Sequence, residues 1–168
     1  EEDDDEDLIA DDEDEKGEGE LWDMPRPLIG DCSLRLLKFD DPEAKTVFWH
    51  SSAHVLGAAL EQTFGSHLTI GPPLQNGFYY DTYMGKDTVG DEEMKKIESC
   101  AQGVAKKKYP FQRLVLSKTE ALEMFEQNPF KRNLIANKVP DGSMTTVYRC
   151  GPLIDLCRGP HVANSGCV

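Results

Sequence analysis

Residues 41–65, DPEAKTVFWHSSAHVLGAALEQTFG, carry the clearest fold signal in the chain. Asp41 can cap the free amides of a helix, Pro42 suits the first helical position, and Gly65 is typical of a helix end. Apolar residues recur between them at helical spacing and predict one buried stripe: Trp49, Ala53, Leu56, Leu60 and Phe64. We therefore expect a long helix that packs its apolar face into the core.

The same helix presents two histidines, His50 and His54, which lie one turn apart and project from one face. A second cluster, CRGPH at residues 157–161, contains Cys157 and His161. The glycine and proline inside it exclude a helix, so a loop must bring those two side chains together. The two clusters hold three of the four histidines in the chain, and their side chains can converge on one point.

Such a set of side chains has two chemical interpretations. Imidazole and thiolate ligands in paired clusters are typical of tetrahedral zinc. Without metal, the histidines would position and deprotonate a water molecule, since imidazole titrates near neutral pH. A metalloprotease is disfavoured because Ser51 follows His50 where that motif needs a glutamate. The structural alternative is that His50 and His54 only line the helix beside the core.

The rest of the chain predicts a mixture of helices and strands. The turn Gln75-Asn76-Gly77 predicts a hairpin between residues 68–73 and 78–83. Residues 91–108 predict a second helix, and Ser117 with Glu120 makes a capping box for a third, which Asn128-Pro129 should stop. Strands are predicted at residues 111–116, 145–149 and 153–156, and a short strand pair around Leu34, Leu36 and Phe39. We expect an α+β fold, with an antiparallel or mixed sheet packed against helices.

Charge divides the chain into two parts. Residues 1–20 hold 14 of the 31 acidic residues and one of the 18 basic residues, so the net charge of −13 comes from this segment. Such a run of like charge predicts a disordered acidic tail. From residue 21 onward acidic and basic residues balance, so the low isoelectric point does not argue against a nucleic-acid partner.

Two further features bear on location. No stretch approaches the roughly 18 consecutive apolar residues of a membrane span, and no signal peptide is visible, so we expect a soluble, cytoplasmic protein without a membrane partner. The five cysteines are odd in number and too sparse for a disulfide framework, which fits a reducing compartment: Cys32, Cys100, Cys150, Cys157 and Cys167.

Three stretches carry a family resemblance: FWHSSAHVLG at residues 48–57, IGPPLQNGFYYD at 70–81 and DLCRGPHV at 155–162. In this order they resemble threonyl-tRNA synthetase of the eukaryotic cytosolic or bacterial type, over residues 21 to about 162. The resemblance implies that residues 21–41 are the end of a ubiquitin-like TGS domain. Residues 42–168 would be an editing domain that is truncated at its C-terminus.

The resemblance also implies an activity and a set of residues. The activity is hydrolysis of seryl-tRNA(Thr), within a parent enzyme that ligates threonine to tRNA(Thr) with ATP and forms a homodimer through other domains. The family's site maps onto His50, His54, Lys131, Asp155, Cys157 and His161, and it is regarded as working without metal. Related alanyl-type editing domains bind zinc through a similar pattern, so a zinc-dependent site and a non-catalytic tRNA-binding module remain the alternatives.

Roles for individual groups follow from ester chemistry. Lys131 or His50 would orient the attacking water or stabilise the oxyanion, and Asp155 would pair with the α-ammonium of the seryl group. Tyr80 would contact the terminal adenosine or serve as a core aromatic. Ten basic residues in the segment 95–138 are a candidate track for tRNA phosphates: Lys95, Lys96, Lys106, Lys107, Lys108, Arg113, Lys118, Lys131, Arg132 and Lys138.

Overall fold

The computed structural model describes residues 19–168, so the predicted acidic tail lies almost entirely outside the described residues. The helices are α1 (Pro42–Phe64), α2 (Asp91–Lys106), α3 (Lys118–Met124) and α4 (Pro129–Lys138). The strands are β1 (His67–Leu68), β2 (Pro73–Leu74), β3 (Gly77–Phe78), β4 (Thr82–Tyr83), β5 (Phe111–Ser117), β6 (Met144–Cys150) and β7 (Leu153–Leu156). None of the described helices has the length and apolar character of a membrane span.

The strands form one three-stranded sheet and two short two-stranded pairs, of which β2–β3 is a hairpin. The sheet has the order β5-β6-β7, and every pairing in it is antiparallel. The strand β1 pairs with β4 and β2 pairs with β3, also antiparallel. Helix α1 contacts α2 and the sheet strands, and α3 and α4 pack together beside β5 and β6. The predicted α+β class is confirmed, with antiparallel pairing throughout the described strands.

Helix α1 has the predicted limits but not the predicted cap. It begins at Pro42 and ends at Gly65, whose φ of 60° is the left-handed conformation that glycine adopts without strain. The Asp41 side chain makes no capping bond, because its carboxylate instead accepts the backbone N–H of Lys38 over 2.7 Å and lies near Arg35. The capping role predicted for Asp41 is therefore wrong.

Helix α1 is also more deeply buried than a one-stripe pattern predicts. Residues 51–60 are all buried apart from a partly buried Leu56. Trp49 and Phe64, at the ends of the predicted stripe, are only partly buried. The helix is surrounded because α2, the hairpins and β7 pack on different sides of it. His54 is thereby enclosed, with only 2% of its surface exposed.

The hairpin predicted after α1 is present, with a turn one residue shorter than expected. Leu74 pairs with Gly77, so Gln75 and Asn76 form the two-residue loop and Gly77 is the first residue of β3. Its φ of 156° lies at the edge of the region that favours glycine. Tyr80 lies between β3 and β4 and is buried.

Asn128-Pro129 was predicted to end the third helix, but in the structure it begins the fourth, α4. Helix α3 already ends at Met124, after the predicted capping box at Ser117. The Asn128 side chain accepts the backbone N–H groups of Phe130 and Lys131, each over 3.1 Å, and so caps α4. This cap places Lys131 in the first turn of α4.

The segment before α1 contains no strand in the structure, so the strand pair predicted there is wrong. Leu34, Leu36 and Phe39 are 67%, 84% and 57% exposed, and an apolar alternation without a pairing partner cannot form a sheet. The segment nevertheless contacts the domain, since the ring of Phe39 packs edge-on against that of Phe48 in α1 with 5.1 Å between centroids. Asp23 is 7% exposed and contacts residues of the sheet and of the loop after β7.

Candidate functional site

The two predicted clusters meet between α1 and the loop that follows β7. The ring centroid of His161 lies 4.4 Å from that of His50 and 4.3 Å from that of His54. The Sγ atom of Cys157 lies 3.3 Å from Nε2 of His50 and 3.2 Å from Nε2 of His161. One potential ligand atom from each of these four residues lies within 4.8 Å of the others. The convergence expected from the sequence spacing is present.

A charged network adjoins this cluster. The Nζ of Lys131 forms an ion pair with Oδ1 of Asp155, and the hydroxyl of Tyr80 donates to Oδ2 of the same carboxylate. His54 Nε2 lies 3.5 Å from that second oxygen. Lys131 and Asp155 are each 3% exposed, so the pair is shielded from water. All seven residues predicted for the site, including Tyr80, therefore share one region.

The donors of Lys131 are fully used within this network. Besides Asp155, its Nζ lies 3.4 Å from the Tyr80 hydroxyl and 3.5 Å from the backbone carbonyl of Thr69. An ammonium group has three N–H donors, so each has a partner. Lys131 is also removed from the predicted phosphate track because it is buried. Of the other nine residues in that track, Lys118 is partly buried beside Asp141 and the rest are exposed.

The Tyr80 ring fills a space that two glycines leave open. An added Cβ at Gly57 would lie 2.7 Å from a ring carbon of Tyr80, and one at Gly71 would lie 2.4 Å from the ring. The ring is thus enclosed between α1 and the segment before β2. Its hydroxyl is directed to Asp155, so the contact of Tyr80 with the site is made by the hydroxyl.

His161 is supported by residues that the sequence analysis did not single out. The Ser51 hydroxyl lies 3.1 Å from Nδ1 of His161, and Phe111 stacks on the ring at 4.5 Å with an interplanar angle of 13°. The backbone N–H of His161 donates to Asp23 over 2.9 Å, and Tyr148 donates its hydroxyl to the same carboxylate over 2.7 Å. Only Ser51 carried a signal, since it lies inside the HSSAH motif.

Gly159 shapes the loop that carries Cys157 and His161. Its φ is 75°, which L-residues with a Cβ rarely adopt. A Cβ at this position would also lie 2.1 Å from the Tyr148 hydroxyl oxygen. The backbone N–H of Gly159 donates to Cys157 Sγ over 3.1 Å. The glycine in CRGPH is therefore required by both backbone conformation and space.

Burial keeps the cluster uncharged near neutral pH. It lowers the pKa of His54 well below the ordinary value, and the nearby His50 and Lys131 lower it further. The pKa of His161 is also well below the ordinary value, first because of burial and then because of His54 and His50. Burial and the charge of Asp155 raise the pKa of the Cys157 thiol well above its usual range. The site thus offers neutral imidazoles and a protonated thiol.

Two members of the cluster keep hydrogen-bonding capacity for a ligand, His50 by its partial exposure and His54 by an unpaired nitrogen. His50 is only partly buried, and burial lowers its pKa while Asp155 acts in the opposite direction. His54 Nδ1 is buried and has no hydrogen-bond partner among the described residues. An unpaired buried nitrogen is costly, so a polar group of a ligand, a water molecule or a metal ion would be stabilised there.

The class of this site follows from comparison with known proteins. Residues 145–168 match the family described as "Threonyl and Alanyl tRNA synthetase second additional domain". This segment contains β6, β7 and the loop with Cys157 and His161. The match continues to residue 168, six residues beyond the point where the sequence resemblance was expected to end.

Particular relatives extend the match along most of the chain. Over 151 residues, or 90% of the chain, it is 53% identical to threonine–tRNA ligase 2, cytoplasmic, of Homo sapiens and 52% identical to threonine–tRNA ligase, cytoplasmic, of Caenorhabditis elegans. Over 146 residues it is 50% identical to threonine–tRNA ligase 1, cytoplasmic, of Rattus norvegicus. The chain is thus related to the threonyl-tRNA synthetases along nine-tenths of its length, and the predicted resemblance is confirmed. It spans 19% of the human relative and 21% of each of the other two.

Proposed function

We propose that this chain forms an editing site that hydrolyses the ester of seryl-tRNA(Thr) and spares threonyl-tRNA(Thr). The observation that carries this proposal is the convergence of His50, His54, Cys157 and His161 beside the buried Lys131–Asp155 pair. In this proposal residues 42–168 are the editing domain and residues 21–41 the end of a TGS-like domain. The protein to which they belong would be a cytoplasmic, homodimeric ligase that joins threonine to tRNA(Thr) with ATP.

A threonine ligase needs such a site for an energetic reason. A synthetic pocket fitted to threonine rejects serine weakly, because one missing methyl group is worth only about 1–3 kcal/mol. A second pocket that admits serine and excludes threonine by steric overlap removes the wrong product, since overlap is a steep function of distance. Cys157 and the three histidines lie close together and are partly or fully buried, so they would form the wall of such a pocket.

The chemistry of the proposed reaction is the addition of water to an ester. The water oxygen bonds to the carbonyl carbon while a neutral imidazole accepts its proton, and the ester C–O bond then breaks as the ribose oxygen leaves with a proton. His50 is best placed to orient the water because it is partly exposed at the edge of the cluster. Lys131 would stabilise the oxyanion only by giving up one of its present hydrogen bonds, for example to Tyr80 or Thr69. In the absence of substrate it holds Asp155 in place through their ion pair.

Asp155 is proposed to recognise the α-ammonium of the seryl group. It is one of two buried carboxylates among the described residues, and the other, Asp23, already accepts the backbone N–H of His161 and the hydroxyl of Tyr148. An ammonium group would add to the positive charge that Lys131 already supplies, so Tyr80 and His54 would have to share the second oxygen with it.

Measuring the release of both amino acids tests the proposal directly. The chain would be incubated with seryl-tRNA(Thr) and threonyl-tRNA(Thr), and the remaining esters would be followed over time. We expect loss of serine and retention of threonine, and a large loss of serine release in His54→Ala. Equal rates on the two esters would contradict the proposal. Binding of tRNA without hydrolysis by the folded chain would instead support a non-catalytic tRNA-binding module.

The same four residues also favour a second candidate, a zinc-dependent editing site of the alanyl type. A tetrahedral zinc with bonds of about 2.0–2.3 Å needs ligand atoms roughly 3.3–3.8 Å apart. The distances from Cys157 Sγ to the two histidine nitrogens, 3.3 and 3.2 Å, are close to this requirement. The four ligand atoms as a set lie within 4.8 Å of one another, so they would have to move slightly closer together to bind the ion. His50, His54, Cys157 and His161 would hold the ion, and one of the four would have to give up its position to water or substrate for the ion to act as a Lewis acid.

A further inference from the structure

The hydroxyl of Ser51 connects helix α1 to the ring of His161 and to the backbone of the next residue, Val162. Its oxygen lies 2.7 Å from the backbone carbonyl of Val47, 3.1 Å from the backbone nitrogen of Val162 and 3.1 Å from Nδ1 of His161. Ser51 is fully buried. Its partners are therefore confined to these protein groups.

Counting donors assigns a direction to each of these hydrogen bonds. A serine hydroxyl has one proton to donate and two lone pairs to accept with. The Val47 carbonyl can only accept, and its contact is the shortest, so it receives the hydroxyl proton. The N–H of Val162 can only donate, so it occupies one lone pair. The remaining lone pair faces His161, and Nδ1 must then carry the proton of a neutral imidazole.

The opposite edge of the ring agrees with that assignment. Nε2 of His161 lies 3.2 Å from Cys157 Sγ, and a protonated thiol can donate its S–H only to an atom with a free lone pair. The sulfur already accepts the N–H of Gly159. An unprotonated Nε2 can accept the thiol proton, so this edge is compatible with the assignment. Because the sulfur can instead donate to Nε2 of His50 over 3.3 Å, the assignment itself rests on the hydrogen bonds of Ser51.

The ring has little freedom to leave this position. Phe111 stacks on one face, and Tyr148 packs edge-on at 4.7 Å between ring centroids. Asp23 holds the backbone N–H of His161. The ring orientation is thus set by packing, and the choice between the two neutral tautomers depends on the hydrogen-bond partner at Nδ1.

We propose that Ser51 is a positioning residue that holds His161 in the Nδ1–H tautomer, so that the lone pair on Nε2 faces Cys157 and the centre of the histidine cluster. The tautomer stands on the hydrogen-bond geometry alone, whereas its importance for catalysis rests on the proposed deacylation. An unprotonated Nε2 is the nitrogen that can accept a proton from water or from the thiol. The opposite tautomer would direct an N–H into the cluster and remove that acceptor.

Nitrogen NMR of the whole chain tests the tautomer without any substrate. Long-range proton–nitrogen correlation of the chain labelled with 15N-histidine distinguishes protonated from unprotonated ring nitrogens, and His161→Gln identifies the His161 signals. We expect the unmodified chain to show a protonated Nδ1 and an unprotonated Nε2 at His161. A protonated Nε2 with a bare Nδ1 would overturn the proposal, and this measurement requires no variant at Ser51.

A matched pair of serine variants then tests the role of Ser51. In Ser51→Ala we expect the His161 signals to move toward the other tautomer, because Nδ1 loses its acceptor. Ser52→Ala is the control, since Ser52 bonds the Phe48 carbonyl over 2.8 Å in the same way but does not contact His161. An unchanged tautomer in Ser51→Ala would overturn the proposal.

The kinetic consequence separates this inference from the proposed function. We expect Ser51→Ala to lower kcat for seryl-tRNA(Thr) hydrolysis by about 10- to 100-fold, toward the low end of what acid–base catalysis contributes, with KM unchanged. Ser52→Ala should alter neither. If the tautomer behaves as described but the unmodified chain releases no serine, the assignment of Ser51 is supported and the proposed deacylation is refuted. An unchanged kcat in a Ser51→Ala chain whose tautomer has shifted would refute the catalytic part of the inference.

Discussion

Asp23 and His161 are joined by a hydrogen bond across 138 residues of sequence, in which the backbone N–H of His161 donates to Oδ1 of Asp23 over 2.9 Å. The other carboxylate oxygen accepts the hydroxyl of Tyr148 over 2.7 Å. The segment before α1 is therefore attached directly to the loop that carries part of the candidate site. An acidic side chain with 7% exposure is held by two donors at this point.

Removing this carboxylate should destabilise the chain. Asp23→Ala would leave the His161 N–H and the Tyr148 hydroxyl without a partner, and each buried unpaired group costs about 1–3 kcal/mol. We expect the free energy of unfolding in urea to fall by about 2–4 kcal/mol. Asp31→Ala, at an exposed position of the same segment, is the control and should have little effect. Equal stability of the two variants would contradict this account of Asp23.

Cys157→Ala tests whether the thiol acts by its size or by its chemistry. Its sulfur contacts two histidine rings, and its raised pKa keeps it protonated, which favours a steric role. We expect the variant to begin hydrolysing threonyl-tRNA(Thr) while retaining most serine release, because removing the sulfur admits the extra methyl group. Cys167→Ala, at an exposed cysteine, is the control. Loss of serine release with threonine still excluded would give Cys157 a chemical role.

Metal content is measured by elemental analysis of chelator-free protein. We expect no tightly held zinc, in accordance with the family that the sequence resembles. One zinc per chain that is lost in His161→Ala would contradict this prediction and favour the alanyl-type alternative. His67→Ala is the matched control because His67 lies outside the set of four potential ligands.

Acid should destabilise the fold through its buried histidines. His54 and His161 have pKa values well below the ordinary 6.5 because burial disfavours their charged forms. In the unfolded chain the same rings bind protons near pH 6.5. Below that pH the unfolded state therefore binds more protons than the folded state, and the folded state loses stability relative to it. We expect the free energy of unfolding to fall by about 1.4 kcal/mol per pH unit for each ring as pH drops below about 6.5.

The measurement is a series of urea titrations between about pH 7.5 and about pH 5.5, a window above the range in which ordinary carboxylates titrate. His161→Gln should reduce the slope in that window because it removes one of the titrating rings. The charged groups that face the histidines, Asp155, Lys131 and Asp23, remain in this variant. A stability that is flat across the window would contradict the prediction.

Gly57→Ala should disturb the site through Tyr80. The new Cβ would lie 2.7 Å from the Tyr80 ring, so the ring must move and its hydroxyl must leave Asp155. We expect a loss of about 1–3 kcal/mol in stability, as in other overpacked cores, together with slower serine release. Gly103→Ala in α2 is the control because its Cβ would meet no atom within 4 Å. There we expect a gain of about 0.5–1 kcal/mol, since alanine favours a helix over glycine.

Local signals in the sequence predicted most of the regular structure. Pro42 and Gly65 delimit α1, and the capping box of Ser117 and Glu120 begins α3. The three strands of the sheet β5-β6-β7 lie within one residue of their predicted limits, whereas the hairpin strands are shorter than predicted. These features depend on backbone conformations that neighbouring residues control. The errors arose where one local pattern has two structural outcomes. Asn128-Pro129 can end one helix and begin another, and the apolar residues of the first segment had no strand to pair with.

The sequence by itself determined which chemical groups the chain could assemble: two histidines on one helix face, a cysteine and a histidine in a loop, and an aspartate just before them. Only the tertiary structure decided that Lys131 is buried against Asp155, that Ser51 faces His161, and that Asp23 supports the loop from the other end of the chain. Helical spacing is a property of adjacent turns, so it can be read locally. The contacts of Lys131 and Asp23 join residues separated by 24 and 138 positions, and they exist only because the fold brings α4 and the segment before α1 against β7 and the loop after it.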